Sequence, residues 1–355
     1  MNSAQSNQRI ALVLSGGGVR AMVFHLGVLR HLAECGAIEQ VHKISSVSGG
    51  SLLVGLILQS AGMNWPSSAE FLSVIYPVLR SKLCGSSLQW AAAKQLLNPL
   101  NWRFALSRAN LLALALYKHW GVTAKLTDLP SMPEWSINGT TAETGRRFRF
   151  KPDSIGDYQL GYAHPGEFPL ANALAVSAAF PGGLGPLTLA ASQFAWKKRP
   201  AWESGPEFAQ PVNIGFHRLH LYDGGVYDNL GLEPFFDAGN GAPKHNGIFI
   251  LLSDAGAPLA KGFSHGALSP WRLKRVADIM SEQGRALRVR TFVSYLQRTS
   301  DAGAYIYIGV PNAEGESSES RQHPAYFATN LSRLSYGDFD RLADHGYQVS
   351  AAVPW

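Results

Sequence analysis

The chain has 355 residues, 46% of them hydrophobic and 16% charged, with a formal net charge of +6. That composition is enough for a sizeable core and excludes a disordered chain. The basic excess favours anionic surfaces, nucleic acid or phospholipid, without choosing between them. Two cysteines, Cys35 and Cys84, make neither a disulfide framework nor a metal site and point to a reducing compartment.

The opening MNSAQSNQRI lacks the charged and apolar regions of a secretory signal. The longest apolar runs, such as LLALALY at residues 111–117, fall far below the roughly 18 residues of a membrane span. A cytoplasmic location is expected, with or without transient attachment to a membrane.

Residues 9–15 (RIALVLS) form a short apolar run ended by glycines, which predicts a buried strand. From Arg20 to Glu34, the residues Val23, Leu26, Val28, Leu29 and Leu32 recur at helical spacing, and Gly36 is a stop signal. Residues 41–48 (VHKISSVS) read as a second strand and residues 51–62 (SLLVGLILQSAG) as a buried helix. This order implies parallel strands joined by crossover helices, hence a layered α/β fold. Residues 67–120 read as a largely helical cap carrying Trp90, Trp102 and Trp120 among leucines and spaced basic residues. Short strands are expected at RRFRF (146–150) and HLYDG (220–224), and a strong buried one at GIFILLSD (247–254). A long basic helix is expected at 271–298 and a polar loop at 312–323. No internal repeat appears, and no stretch marks a domain boundary.

The first glycine cluster, Gly16-Gly17-Gly18, follows a strand and opens a helix. A dinucleotide-binding turn would need an acidic residue about 20 positions on, yet the next strand ends in Ser46, Val47 and Ser48. A phosphate-binding loop lacks its Gly-Lys-Ser/Thr. What remains is a turn that presents backbone N–H groups to a developing negative charge at a helix N-terminus, beside the plainer reading of a tight turn.

SVSGG at residues 46–50 fits a strand-to-helix elbow that lifts Ser48 out of the sheet, with Gly49 and Gly50 small enough for close packing. Ser46 stands where the first small residue belongs and is expected to act only as a spacer. Ser48 is thus a candidate nucleophile or, more plainly, a helix cap. A serine hydroxyl needs a base, and Asp223, before Gly224 and Gly225, is a carboxylate at a strand end, though Asp-Gly is also an ordinary hairpin turn.

These three features, in this order, resemble the patatin-like phospholipases: a glycine-rich loop (GGGVRA, 16–21), an elbow (SVSGG, 46–50) and an Asp-Gly-Gly (223–225). FHLGVLRHL, NGTTAETGRRFRF and ALAVSAAFPGGLGPL extend the likeness over residues 8–255, whereas residues 256–355 match nothing assignable. The resemblance implies a three-layer α/β/α fold with a mostly parallel central sheet and a helical insertion, forming one domain over residues 1–355. It further implies that Ser48 attacks the carbonyl, Asp223 is the base, and Gly16, Gly17 and Gly18 form an oxyanion hole. Arg20, Gly49, Gly50, Gly224 and Gly225 would support the site, and no metal or cofactor would be required. The activity implied is a phospholipase A-type lipid acyl hydrolase that releases fatty acid and lysophospholipid. A lysophospholipase, lipase or thioesterase with the same dyad, or a silent lipid-binding module, are the alternatives.

His323 or His345 could complete a Ser-Asp-His order, and His25 reads as a packing residue. Asp228 and Asp254 have ordinary structural explanations, and the NGT sequon at Asn138 is taken as chance. For partners, the basic excess and the tryptophan-bearing cap suggest a lipid–water interface rather than nucleic acid. A solvated basic face with core tryptophans would give the same composition.

Overall fold

The computed structural model describes residues 8–181, 184–201, 204–259, 261–263, 266, 269, 271–311 and 323–353. The expected polar loop at 312–323 lies, except for His323, outside the described residues.

Strand β1 (Ile10–Leu14) passes through a glycine turn into helix α1 (Gly18–Glu34). Strand β2 (Val41–Ser46) passes through the elbow into α2 (Gly49–Ser60). The cap then contributes α3 (Ser68–Glu70), a π-helical turn (Phe71–Ile75) leading into α4 (Tyr76–Gly85), then α5 (Leu88–Lys94) and, after two short 3-10 turns, α6 (Arg108–His119). Of its three tryptophans, Trp120 is core whereas Trp90 and Trp102 are exposed.

A run of shorter strands follows: β3 (Glu134–Thr141), β4 (Arg146–Phe150), β5 (Ile155–Asp157) and β6 (Gly161–Ala163). After helix α7 (Leu170–Ser177) come β7 (Leu187–Ala190), β8 (Lys197–Lys198), β9 (Gln210–Pro211) and β10 (Arg218–Asp223). The chain ends with α8 (Gly225–Asp228), the small hairpin β11 (Phe236–Asp237) and β12 (Ala242–Pro243), β13 (Phe249–Asp254), α9 (Trp271–Arg298), β14 (Gly303–Tyr307) and α10 (Tyr336–Ala351).

The spine of the sheet is parallel, in the order β14-β13-β1-β2-β3, and it continues antiparallel through β4, β5, β6, β8 and β9. Every residue of β1 is buried because both faces are covered, as its unbroken IALVL run requires. Leu12 and Leu14 face the core shared with α1, α2 and α10, while Ala11 and Val13 face a second core containing Ile250, Leu252 and Phe292 of α9. The result is a three-layer α/β/α arrangement around a mixed sheet whose central strands are mostly parallel.

Two strands from distant parts of the chain share one edge of β3. β2 pairs with its first half, ending at Ser46 opposite Ile137, and runs parallel to it. β10 pairs with its second half, Asp223 opposite Gly139, and runs antiparallel. Residues 139–141 pair with β4 on the other edge, so β2 and β10 lie end to end. Their carboxyl ends meet head-on beside Asn138.

Candidate active site

Ser48 sits just past β2 with φ 50 and ψ −118, one of three non-glycine residues with positive φ among those described. Such backbone is strained for an L-residue and persists only where the surroundings hold it. The surroundings here are specific. The Ser48 N–H donates to both the backbone O (3.1 Å) and the Oγ (3.0 Å) of Ser177, at the end of α7. A side chain on Gly50 would come within 2.6 Å of the Leu14 carbonyl, and one on Gly49 would strike the Gly18 carbonyl. These glycines are needed for close approach, because the elbow and the glycine turn touch. The N-termini of α1 and α2 therefore converge on Ser48, bringing partial positive charge from both helices.

Asp223 is the last residue of β10, 2% exposed, and its backbone is tied to Ala179 O (3.1 Å) and Thr140 Oγ1 (2.8 Å). Its carboxyl receives the Gly225 N–H at 2.7 Å. Burial pushes the carboxyl up from 3.8 to about 7, against the opposing pull of the Gly225 N–H and of the nearby Ser48 hydroxyl. Gly224 has ordinary helical angles, φ −59 and ψ −26, so its want of a side chain is not a matter of turning the chain sharply. A β-carbon there would lie 2.5 Å from Asn138 O, at the junction of the two strand ends.

The three glycines of the first turn differ. The Gly16 N–H already donates to Asn229 O at 3.0 Å. Gly17 (φ 149) and Gly18 (φ 62) need glycine for their backbone angles, and neither N–H has a hydrogen-bond acceptor among the described residues. The Gly18 nitrogen lies 3.0 Å from where a Gly49 β-carbon would sit, beside Ser48. Arg20 is buried and fastens this turn from behind, donating to Phe327 O (2.7 Å) and Ala255 O (3.2 Å), and its burial draws it down to about 10.

Ser46 is not the spacer expected of it. Its Oγ accepts from Trp135 Nε1 (2.8 Å) and pairs with Ser51 Oγ (2.9 Å), which pairs with Ser177 Oγ (2.8 Å). Because Ser177 Oγ donates its one proton to Asn138 O (2.7 Å), the direction of the chain is set: Trp135 to Ser46 to Ser51 to Ser177 to Asn138. Asn138 Nδ2 in turn donates to Ser45 Oγ and Ser46 O, both at 2.9 Å, and Ser45 Oγ donates to Gly231 O at 2.5 Å. Sequence reasoning gave no role to Asn138, Ser51 or Ser177. Asn138 is 1% exposed and its amide is fully engaged, so the sequon is no attachment site in the folded chain.

The other titratable residues have work elsewhere. His25 bonds Ser253 Oγ and Ser15 O and is drawn down to about 4 by burial, as befits a packing residue. His323 pairs with Val310 O and His345 with Ile308 O, and neither contacts Ser48 or Asp223. Asp228 accepts from the N–H groups of Leu230 and Glu233, and Asp254 is paired with Arg285 and Tyr305. Among the described residues, no group of three His, Cys, Asp or Glu side chains could hold a metal ion.

Fold and centre together define an α/β protein with a serine elbow and a glycine-rich turn at the carboxyl end of a parallel sheet. The chain belongs to the patatin-like phospholipase family, whose sequence model matches residues 12–236. A search of the curated protein sequences found no match. Among solved structures, human GIVD cytosolic phospholipase A2 superposes with a TM-score of 0.54 at 16% identity, over 96% of this chain and 58% of that one. Its complex with methyl gamma-linolenyl fluorophosphonate gives 0.54 at 17%, over 97% and 57%. VipD from Legionella pneumophila gives 0.37 at 16%, over 95% and 67%. The present chain thus spans somewhat over half the length of the human enzyme. The family is one of lipid hydrolases, and among the described residues no helix is long and apolar enough to cross a membrane.

Proposed function

We propose that this protein is a serine acyl hydrolase of the phospholipase A type, cleaving acyl esters of glycerophospholipids to fatty acid and lysophospholipid at a Ser48–Asp223 dyad. One observation carries the reading. The hydroxyl of a serine held in strained backbone stands near a buried carboxyl poised near pH 7, beside two glycine N–H groups without acceptors among the described residues.

Ser48 Oγ attacks the ester carbonyl as Asp223 takes its proton, and the tetrahedral oxyanion is met by the N–H groups of Gly17 and Gly18. Asp223 then gives the proton to the departing glycerol oxygen, leaving an acyl-serine. A water molecule, deprotonated by the same carboxylate, releases the fatty acid. Gly16 shapes the turn rather than donating, Arg20 braces it, and Gly49, Gly50, Gly224 and Gly225 allow the close approach. Residues 1–355 act as one catalytic unit, since β14 extends the sheet and α10 packs on α1.

The test is chemical labelling followed by product analysis. A long-chain fluorophosphonate should lose fluoride and leave its phosphonyl group on Ser48, found by peptide mass. Mixed phospholipid vesicles should yield fatty acid with wild-type protein and none with Ser48→Ala. Labelling confined to another residue, or fatty-acid release undiminished in Ser48→Ala, would remove the dyad.

A further inference from the structure

From Phe71 to Thr127 the chain contains no Asp or Glu, yet carries Arg80, Lys82, Lys94, Arg103, Arg108, Lys118 and Lys125. Two of these cations are neutralised from outside the segment, Arg80 by Asp340 and Lys125 by Glu167. Lys94, Arg103 and Lys118 are exposed and form no ion pair among the described residues.

Between α5 and α6 the same segment packs Leu96 and Phe104 on the core but turns four other large apolar side chains outward. Leu97 is 82% exposed, Leu100 77%, Trp102 65% and Leu106 95%, with Trp90 at 67% close by in α5. They are not loosely held. Trp102 Nε1 is fixed to Leu96 O at 2.9 Å, Asn101 is buried with its amide on Gln95 O, and Asn98 caps the turn. A rigid backbone thus presents side chains that find no cover. Exposed apolar residues scattered singly need no explanation, but four within ten residues of one turn, in a segment whose cations have no carboxylates of their own, do.

The group also adjoins the active centre. Ser107 Oγ donates to Pro186 O at 2.5 Å and the Ala109 N–H to Leu184 O at 2.9 Å. Those carbonyls belong to the segment that leaves α7 beside Ser48 and holds Asp223 through Ala179 O. Phe180, 51% exposed, stands on that segment.

We propose that Leu97, Leu100, Trp102 and Leu106, together with the exposed Lys94, Arg103 and Lys118 of the same segment, are the face by which this protein seats on an anionic phospholipid bilayer. Leucine and indole side chains enter the boundary between headgroups and acyl chains while ammonium and guanidinium groups meet the phosphates. Each part suits the wet apolar and anionic layers of one surface and no single soluble ligand. Seating there brings the acyl ester to the mouth of the dyad. In this respect the inference rests on the hydrolase reading, although the surface stands on its own observations. The other exposed apolar helix, α9, is a weaker rival because it carries carboxylates of its own, Asp278 and Glu282, and three of its cations are paired, Lys274 with Asp278, Arg285 with Glu282 and Asp254, and Arg288 with Asp228.

The experiment uses the full chain carrying Ser48→Ala, so that binding is read without turnover. Sedimentation with phosphatidylcholine vesicles, with and without phosphatidylglycerol, should show tighter binding to the anionic set, weakened by salt. Adding Leu97→Ser, Leu100→Ser and Leu106→Ser should lower that binding at least about tenfold, whereas Leu273→Ser with Met280→Ser on α9 should change it less than about twofold. With Ser48 restored, the cap variant should still turn over a soluble short-chain ester while losing vesicle hydrolysis in proportion to its binding.

Undiminished binding in the cap variant, or loss confined to the α9 variant, would overturn the assignment. So would a wild-type dimer that the cap substitutions dissociate, because the face would then meet a second copy. Patch-dependent binding in a protein that hydrolyses no lipid would sink the hydrolase reading and leave this one standing.

Discussion

On one side of the centre Ser48 is half-buried, held at φ 50 by two bonds to Ser177, with a chain of four hydroxyl and carbonyl groups behind it. On the other side Asp223 is buried, and among the described residues the Gly225 N–H is the one donor its carboxyl receives, with the Ser48 hydroxyl nearby. The serine side stores geometry, in a backbone conformation that the surrounding hydrogen bonds enforce. The aspartate side stores electrostatics, in a carboxyl left short of donors so that its affinity for a proton suits neutral pH. A base fully satisfied by hydrogen bonds would be a weak base, and a nucleophile on relaxed backbone would not be lifted from the sheet. Each side does what the other cannot.

The comparison is broken most sharply by Ser48→Ala, which should lower acyl hydrolysis by about four orders of magnitude or more while leaving the thermal melt close to wild type. Substantial turnover with a normal melt would detach geometry from chemistry. Next comes Asp223→Asn, which keeps the shape and should lower kcat by about a thousandfold. Its stability should move the opposite way. The folded protein holds the carboxyl near 7 against 3.8, so it binds the extra proton between those values; the contribution is full below about 4 and lost as pH rises through 7. Asp223→Asn should therefore melt higher than wild type at pH 8, with the gain shrinking toward pH 4. A variant that melts lower at pH 8 would contradict the electrostatic account.

For the wild type, kcat/KM should rise with pH through about 7 as the free carboxyl ionises, and a profile flat from 5 to 9 would remove Asp223 as the base. A smaller effect tests the serine side. Ser46→Gly leaves Trp135 Nε1 and Ser51 Oγ each short of a partner and should cost about 1–3 kcal/mol of stability with reduced turnover. An improved enzyme would restore Ser46 to the role of spacer. The smallest change is expected from His323→Ala, whose turnover on a soluble ester should stay within about twofold, since its ring contacts neither Ser48 nor Asp223.

The serine side was largely legible in the sequence because its signals are local: an apolar strand, small residues at the turn and helical spacing beyond it. Asp223 stood out as a carboxylate before two glycines, but only the order of all three features gave it meaning. What stayed hidden depended on distant partners. Ser46 looked like filler because Trp135 lies 89 residues away in sequence, and Ser45 because its acceptor is 186 away. The strand holding Asn138, EWSINGTT, is buried nearly throughout but mixes polar and apolar residues without alternation, so periodicity could not announce it. The reason for Gly224 was invisible too, since nothing in the local sequence says that Asn138 O will sit beneath it.

The end-to-end meeting of β2 and β10 along β3 also bears on when the centre can first exist. A growing chain completes the glycine turn and elbow early, but Asp223 does not reach them until β10 has been made and has paired back onto β3. Pairing one residue out of register would turn Asp223 to the opposite face of the sheet. On the proposed dyad the seam thus works as an assembly check: during synthesis, and in any misregistered copy, Ser48 stands in its elbow without the carboxylate that would activate it.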